Sequence, residues 1–368
     1  MSLIATKKPR FSPKIQREFF DTLKARVKDH FEDNQKSRFA NVNMVLKTLF
    51  MLALYFAPFV LLLCGLFTST LMVFVVYILM ALGMSGIGLS IMHDANHGAY
   101  SKHKSINQFF GYLMNFLGGF HTNWKIQHNV LHHSFTNVHG FDEDLENGIM
   151  RFSPNQDYKK RYKLQAFYAW FFYGLMTLYW LIAKDFRDLI RYKNAGILKE
   201  QKIYFPSAMA KLVFNKLWYV GLLIALPIAI VPVSPLLIVG GFLLMHFICG
   251  LILALIFQPA HVLEETEFFE REENGSMENN WAIHQLKTTA NFAKGSRIFS
   301  WLIGGLNFQI EHHLFPNICH VHYRKISKIV KETAKEFNLP YHEHVTFYGA
   351  LKSHFSLLHQ LGKAPVAA

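Results

Sequence analysis

The sequence predicts an all-α integral membrane protein with four transmembrane helices and a helical cap on the cytoplasmic side. Two observations lead to this prediction. Hydrophobic residues make up 51% of the 368 residues, and the tracts 48–92 and 217–263 contain no Lys, Arg, Asp or Glu. Because about 20 helical residues cross the apolar core of a bilayer, each tract is long enough for two spans. This composition excludes a disordered chain and a coiled coil.

Two uncharged turns divide the apolar tracts and set the positions of the spans. Thr-Ser-Thr at 68–70 divides the first tract, and Pro-Val-Ser-Pro at 232–235 divides the second. Both turns are rich in residues that cap or break helices. We therefore expect four transmembrane helices, at about 46–67, 71–92, 214–231 and 236–258.

A fifth apolar stretch, 166–183, is long enough to raise the question of a fifth span. All 38 Lys and Arg residues lie within 1–47, 102–216 and 271–363, so this stretch has basic residues on both sides. Segments rich in Lys and Arg stay cytoplasmic, which predicts that 166–183 lies at the membrane interface or re-enters. A shorter apolar segment at 106–120 is predicted to be a second interfacial helix. Both termini are then cytoplasmic.

The polar segments complete the predicted organisation. Residues 1–45 are predicted to be a cytoplasmic N-terminal helical segment without a secretory signal peptide. Residues 46–323 form the membrane domain, and 324–368 form a cytoplasmic tail whose first part is an amphipathic helix lying on the cap. The three cysteines form no paired motif, which argues against a disulfide framework or a covalent haem. No nucleic-acid partner is expected.

Three clusters among the twenty histidines have the spacing of metal ligands. Residues four apart on a helix share a face, so each cluster can direct two side chains to one point. In the third cluster, Gln309 takes the position of the first histidine. His133 sits about 100° around the helix from His132 and could serve a second ion. The histidines of the three clusters are His93, His97, His128, His132, His133, His312 and His313.

An eighth histidine, His261, stands just past the fourth predicted span, on the same side of the membrane as the clusters. Imidazole binds iron, copper, nickel and zinc alike, but a single zinc takes only four ligands. Eight histidines therefore indicate two metal ions. Two redox-active irons can activate O2 and remove hydrogen from an unactivated methylene. The adjoining membrane indicates a lipid substrate.

Acidic and amide side chains beside the clusters are candidates for additional ligands or for hydrogen-bond partners of the ligand imidazoles. Ordinary solvated acids are an open alternative for two of them, Asp142 and Asp144. His246, in the middle of the fourth span, is expected to form hydrogen bonds inside the bundle or to line a substrate passage. The candidates are Asp94, Asp142, Asp144, Gln258, Gln309 and Glu311.

The clusters resemble the three histidine boxes of the membrane fatty acid desaturases, which read HxxxH, HxxxHH and a third box closer to the C-terminus. The third box here reads QxxHH, from Gln309 to His313, and is similar to that of the front-end subgroup. Front-end enzymes insert a double bond between an existing one and the carboxyl end of the acyl chain. The similarity extends over about 48–323. It implies an O2-dependent desaturase with two non-haem irons and with His261 as an additional ligand.

The resemblance also implies the partners and reveals two departures from the family pattern. The substrate is expected to be a fatty acyl-CoA or an acyl-lipid in the membrane. Relatives place an Asn where this chain has Phe257, so Gln258 or Gln309 would have to replace its contact. Many front-end members carry a fused cytochrome b5 domain with a His-Pro-Gly-Gly motif, which does not occur here. We therefore expect a separate electron donor of the ferredoxin or cytochrome b5 type.

Two other functions remain open from the residues alone. A di-iron lipid hydroxylase or monooxygenase would use the same centre and return oxygen to the substrate. A transporter with a histidine relay would need ionisable groups near the middle of the bilayer. Only His246 is predicted there, because the other histidines of interest collect at the cytoplasmic border, and this argues against transport.

Overall fold

The computed structural model describes residues 8–12, 16–146, 148–272 and 275–363. Residues 1–7 and 13–15 of the predicted N-terminal segment, and 364–368 of the predicted tail, lie outside the described residues. The described part is mostly helical and contains a single two-stranded sheet, which confirms the predicted fold class. The helices are α1 (Arg17–Asp33), α2 (Val42–Leu63), α3 (Thr70–Asn96), α4 (Lys104–Gly111), α5 (His121–Trp124), α6 (Lys160–Gly174), α7 (Met176–Asn194), α8 (Ile197–Glu200), α9 (Phe205–Ile230), α10 (Pro235–His261), α11 (Trp281–Thr288), α12 (Arg297–Leu302), α13 (Gln309–Leu314), α14 (Tyr323–Glu336) and α15 (Phe347–Leu361).

Four of these helices, α2, α3, α9 and α10, are long and apolar enough to cross a membrane. Helix α9 begins at Phe205, well before the predicted boundary at 214. The added segment contains exposed Lys211, and Lys216, which lies within the predicted span, turns its ammonium group inward to Asp185 Oδ2 at 2.5 Å. The same group donates to the carbonyl of Gly118 at 2.6 Å.

The bundle is organised around α3 and α10, which pack closely because small residues line their contacts. A Cβ atom on Gly241 of α10 would lie 2.0 Å from Cδ2 of Tyr77 on α3. A Cβ on Gly83 of α3 would lie 2.5 Å from the backbone nitrogen of Tyr55 on α2. Small residues at such positions let membrane helices approach through their backbones. On the outside of α2, Leu46 and Leu49 are exposed, as expected for a lipid-facing surface.

The stretch predicted at 166–183 is a pair of helices, α6 and α7, that meet at a 63° bend. This geometry belongs to a broken span or a re-entrant segment. Exposed Phe167, Phe171 and Ile182 cover its outer side, whereas Thr177 donates to the carbonyl of His246 inside the bundle at 2.8 Å. The segment predicted at 106–120 is the short helix α4 followed by a 3₁₀ turn, Tyr112–Leu117.

The two ends of the chain pack together outside the membrane spans. We define the cap as α1 together with residues 275–363. Phe19 and Leu23 of α1 share one hydrophobic cluster with Ile310 of α13 and with Ile326 and Val330 of α14. A parallel strand pair, β1 (Ala290–Phe292) and β2 (His342–His344), ties the middle of the cap to its end. This packing buries the third histidine cluster, on α13, inside the cap.

Candidate metal centre

The first histidine cluster lies where α3 ends. The helix changes to π-helical turns at Ile87–Met92 and returns to an α-helical turn at His93. Gly98, at φ 71°, then provides the left-handed residue that commonly ends a helix. The rings of His93 and His97 have centroids 4.9 Å apart. Both histidines therefore point from the membrane end of the helix into the same space.

The second cluster lies on a π-helix, Lys125–His132, rather than on the regular α-helix that the spacing predicts. In this wider turn, the rings of His128 and His132 are nearly parallel, with centroids 5.4 Å apart. Their possible ligand atoms lie within 4.8 Å of each other and of a carboxylate oxygen of Asp144. His128 faces His93, with their Nε2 atoms 3.2 Å apart, whereas the ring of His132 lies 4.8 Å from that of His261.

Seven of the eight predicted histidines form two adjoining groups, within each of which the possible ligand atoms lie within 4.8 Å of one another. His133 stands between them and is grouped with His312 and His313. Its Nε2 atom lies 2.9 Å from that of His312. Ligand nitrogens around 2 Å from one ion are about 3 Å apart, so the arrangement fits two neighbouring ions. The first group is His93, His97, His128 and His312, and the second is His132, His261 and His313.

Several ring nitrogens in these groups have no hydrogen-bond partner although they are buried. They include Nε2 of His97, His261 and His313, together with Nδ1 of His93 and His133. An unpaired buried imidazole nitrogen is costly unless something binds it. Burial, followed by repulsion from neighbouring imidazoles, lowers the pKa of His97, His128, His133, His312 and His313 well below the usual value. These rings are neutral at pH 7, which is the form that binds metal.

The remaining nitrogens of several rings are held by partners on other segments. His313 Nδ1 donates to Gln285 Oε1 at 2.8 Å, and His261 Nδ1 donates to the carbonyl of Thr288 at 3.1 Å. His312 Nδ1 lies 3.1 Å from the hydroxyl of Tyr323. Such contacts fix the tautomer and orientation of a metal-ligating imidazole. The sequence did not point to Gln285, Thr288 or Tyr323.

His132 is held by two of the predicted acids. Its Nδ1 atom lies 3.1 Å from Asp142 and 3.2 Å from Asp144. Burial lowers the pKa of His132, but the two carboxylates outweigh burial and raise this pKa to about 9. Asp142 also accepts from the backbone nitrogen of Asn137 at 2.9 Å. The two acids are therefore not free solvated groups.

Four other predicted residues have different surroundings. Asp94 accepts from His320 Nδ1 at 2.8 Å, and Lys47 lies 2.7 Å from the other ring nitrogen of that histidine. Glu311 accepts from Asn291 and Tyr341 and contacts no cluster histidine. Gln309 is buried, and its amide nitrogen has no hydrogen-bond partner. Gln258 lines a cavity beside the second group.

Histidines outside the two groups have other partners. As predicted, His246 forms hydrogen bonds inside the bundle, with Tyr219 and Thr177, each at 3.0 Å. His284 donates to the carbonyl of Thr136 at 2.7 Å, and His354 lies 2.7 Å from the hydroxyl of Tyr173. These are interior hydrogen bonds and not surface positions.

A cavity of about 300 Å³ opens onto the histidines. His128, His132 and His261 form one end. Phe257, which stands where the family pattern has Asn, also lines it, and its ring lies 6.1 Å from that of His128. The rest of the wall is mainly apolar and includes Phe152, Phe172, Leu175, Met176, Trp180 and Ala254. The cavity can hold an extended apolar chain against the candidate metal site.

Comparisons with known proteins agree with this geometry. A family model described as fatty acid desaturase matches residues 68–345. A protein of Synechocystis named sn-1 linoleoyl-lipid 6-desaturase is 35% identical, covering 95% of this chain and 97% of that protein. A Physcomitrium patens protein named acyl-lipid (8-3)-desaturase is 34% identical over 94% of this chain and 72% of that protein. A Delta(5) fatty acid desaturase A of Dictyostelium discoideum is also 34% identical, over 97% and 77% of the two chains. The chain therefore belongs to the fatty acid desaturase family.

Proposed function

We propose that this protein is an O2-dependent acyl-lipid desaturase in which the eight histidines bind two non-haem irons. The observation that carries the proposal is the pair of buried histidine groups beside a cavity with a mainly apolar lining. The names of the relatives supply the acyl-lipid class. The QxxHH third box supports a new double bond on the carboxyl side of an existing one.

The reaction balances with electrons from outside the protein. Two hydrogens leave adjacent carbons of the acyl chain, two electrons and two protons come from a donor and from solvent, and O2 is reduced to two molecules of water. When bound, the irons supply the activation of O2 that protein side chains cannot supply. No protein nucleophile or general base is needed. The chain contributes ligands, orientation and exclusion of water.

The residues divide these tasks. His93, His97, His128 and His312 would hold one iron, and His132, His261 and His313 would hold the other, with His133 between the two sets. Asp142, Gln285, Thr288 and Tyr323 keep four of the rings in position. Positioning a carbon pair against a reactive centre accounts for much of the rate of such reactions.

The walls of the cavity would hold the acyl chain. Phe172 and Met176 come from the bent pair α6 and α7, and Ala254 comes from α10. These side chains exclude water from the reacting carbons and restrict the chain to one path past His132 and His261. A lipid-linked chain can enter from the bilayer, because exposed apolar Ile149 and Tyr179 also line the cavity.

A host with defined fatty acids provides the direct test. We expect membranes from cells that express the protein to contain an acyl chain lighter by two hydrogens, with the new bond on the carboxyl side of an existing one. Mass spectrometry of derivatised chains locates the bond. A product heavier by one oxygen would instead indicate a hydroxylase. Purified protein should contain about two irons per chain, as eight imidazole ligands imply.

A further inference from the structure

We propose that an unpaired basic surface at the start of α14 is the docking site for a small acidic protein that carries one electron at a time. The proposal rests on the proposed function, since each desaturation requires two external electrons. We define the basic surface by six side chains from three parts of the chain. They are Lys36 and Arg38 before α2, Arg297 at the start of α12, and Arg324, Lys325 and Lys328 in the first turns of α14.

The basic surface brings like charges together. Lys36 interacts directly with Lys325, and this contact lowers the pKa of Lys36. Arg297 likewise adds to the effect of burial in lowering the pKa of Arg324. The guanidinium of Arg324 is held by neutral partners, the carbonyl of Ser296 at 3.1 Å and the hydroxyl of Ser300 at 3.3 Å. Adjacent like charges are unfavourable alone and favourable when a polyanion covers them.

In neighbouring parts of the cap, by contrast, several cations are paired with carboxylates. Further along α14, Lys331 pairs with Glu343, and Glu336 pairs with Arg26 of α1. Lys294, just before α12, also pairs with Glu343. Among the residues that the structure describes, none of the six cations of the basic surface forms an ion pair with a carboxylate. The first turns of α14 are therefore positively charged, while its last turns are neutralised.

The basic surface lies directly over the candidate metal centre. Tyr323, the residue before Arg324, is buried and places its hydroxyl 3.1 Å from Nδ1 of His312. Three residues earlier, His320 donates to Asp94, the neighbour of His93. Segment 320–323 thus contacts His312 of the first histidine group and Asp94, the sequence neighbour of His93. An electron that arrives at this surface would be separated from the candidate ligand His312 by one side chain, that of Tyr323.

Charge and location together favour an acidic carrier protein over an anionic lipid. Lipid headgroups would account for basic residues next to α2 but not for their position above Tyr323 and His312. Charge complementarity of this kind mainly accelerates encounter and weakens as salt screens it. The test uses a plant-type [2Fe–2S] ferredoxin as the acidic carrier and sodium dithionite as a small reductant, which reduces the protein without O2 and is removed before O2 is admitted for a single turnover.

The experiment compares two triple variants of the full iron-loaded protein in nanodiscs. The first reverses the charge of the basic surface and carries Lys36→Glu, Lys325→Glu and Lys328→Glu. The control makes the same total charge change at exposed lysines elsewhere and carries Lys104→Glu, Lys199→Glu and Lys202→Glu. We measure ferredoxin oxidation by stopped flow, ferredoxin binding by titration and product with each reductant.

We expect the first variant to lose about tenfold or more in the bimolecular rate with ferredoxin and to lose most of its salt dependence. Its product yield with dithionite should equal that of the unmodified protein, and the control variant should behave like the unmodified protein throughout. Equal ferredoxin rates for all three proteins would overturn the proposal. So would a loss in the first variant that appears only in nanodiscs containing phosphatidylglycerol, since this would identify an anionic-lipid site.

The same measurements separate this proposal from the proposed function. If dithionite gives no product with the unmodified protein, desaturation itself is in question. Ferredoxin binding still reports on docking in that case. Weaker binding to the first variant than to the control supports the surface, and equal binding rejects it.

Discussion

His133 is the side chain that joins the two histidine groups. Its Nε2 atom lies 2.9 Å from that of His312 and 3.3 Å from that of His128, and its ring stacks on His313 with centroids 4.3 Å apart. His133 therefore contacts members of both groups and belongs to neither alone. It stands one residue after the π-helical turn, and its ring is nearly perpendicular to that of His132, at 83°.

His261 allows the ligand assignment to be tested outside the three boxes. Its Nδ1 atom is fixed by the carbonyl of Thr288, and its Nε2 atom is buried without a partner between His132 and His313. We expect His261→Ala to lose at least half of the bound iron and nearly all desaturated product, because the second group loses a ligand. Iron analysis and product analysis check this. His359→Ala, at an exposed position, is the control. A well-folded His261→Ala protein with full iron would contradict the assignment.

The candidate ligands could be predicted from the sequence, but their partners could not. The seven histidines of the three clusters are found from local sequence, because five belong to pairs spaced four residues apart and His133 and His312 adjoin members of those pairs. Tyr323, Gln285 and Thr288 are separated from the histidines they contact by 11, 28 and 27 residues. Their contacts depend on how α11 and α14 pack over the spans. Asp94 is the opposite case. It is next to His93 in the sequence, yet it accepts a hydrogen bond from the distant His320.

The spanning helices could be predicted because the length of an uncharged tract shows how many helices of bilayer-crossing length it can contain. Their finer features were not. The π-helix at Lys125–His132 depends on a hydrogen-bond pattern that residue preferences do not predict. This pattern changes which histidine side chains lie next to one another. The start of α9 at Phe205 was missed for another reason. The first turns of α9 contain exposed Lys211 and lie outside the uncharged tract 217–263 from which the span was predicted.

Two adjacent glycines in α10 give a test of the packing between α3 and α10. A Cβ on Gly241 would lie 2.0 Å from Tyr77, whereas one on Gly240 would lie 3.7 Å from its nearest neighbour, Phe74. We therefore expect Gly241→Ala to destabilise the bundle by about 1–3 kcal/mol, through overpacking. Gly240→Ala should be neutral or slightly stabilising, because Ala favours the helix. Thermal unfolding in detergent measures both. Equal unfolding temperatures for the two variants would show that the helices adjust without cost.

The loop after the second cluster is joined to α7 by Glu143, and this contact predicts a pH dependence. Glu143 lies 2.6 Å from both Arg191 and Tyr192. Burial outweighs the nearby cations and raises its pKa from 4.5 to about 7. The folded state therefore holds this proton at a pH where the unfolded state has released it. Its contribution to stability is full below pH 4.5 and is lost as the pH rises to about 7.

Glu143→Gln isolates this effect from other titrating groups. The amide cannot ionise, so the variant should gain stability relative to the unmodified protein between pH 5 and pH 8, on the order of 2 kcal/mol. Unfolding temperatures of both proteins across that pH range give the difference. Should the difference stay constant with pH, the ion pair with Arg191, and not burial, would dominate the titration of Glu143.

At the scale of the whole molecule, the net charge of +13 is distributed unevenly. The turns after α2 and before α10 contain no Lys or Arg, and all basic residues flank the other ends of the spans. This asymmetry is the basis for proposing that the metal centre, the basic surface and both termini are cytoplasmic. It also explains how one electron donor could reach the centre while the acyl chain enters from the membrane.

The natural cysteines allow this orientation to be tested with an internal reference. Cys64 is exposed directly after α2, whereas Cys249 and Cys319 are buried. We expect an impermeant maleimide added to intact cells to label Cys64, because the turn at 64–69 lies outside. A Cys64→Ser, Asn194→Cys protein should stay unlabelled until the cells are opened, because Asn194 ends α7 among the basic residues that follow the bent pair. Labelling of Asn194→Cys in intact cells would place the Lys184–Lys216 segment outside, so α6 and α7 would have to be counted as a fifth span.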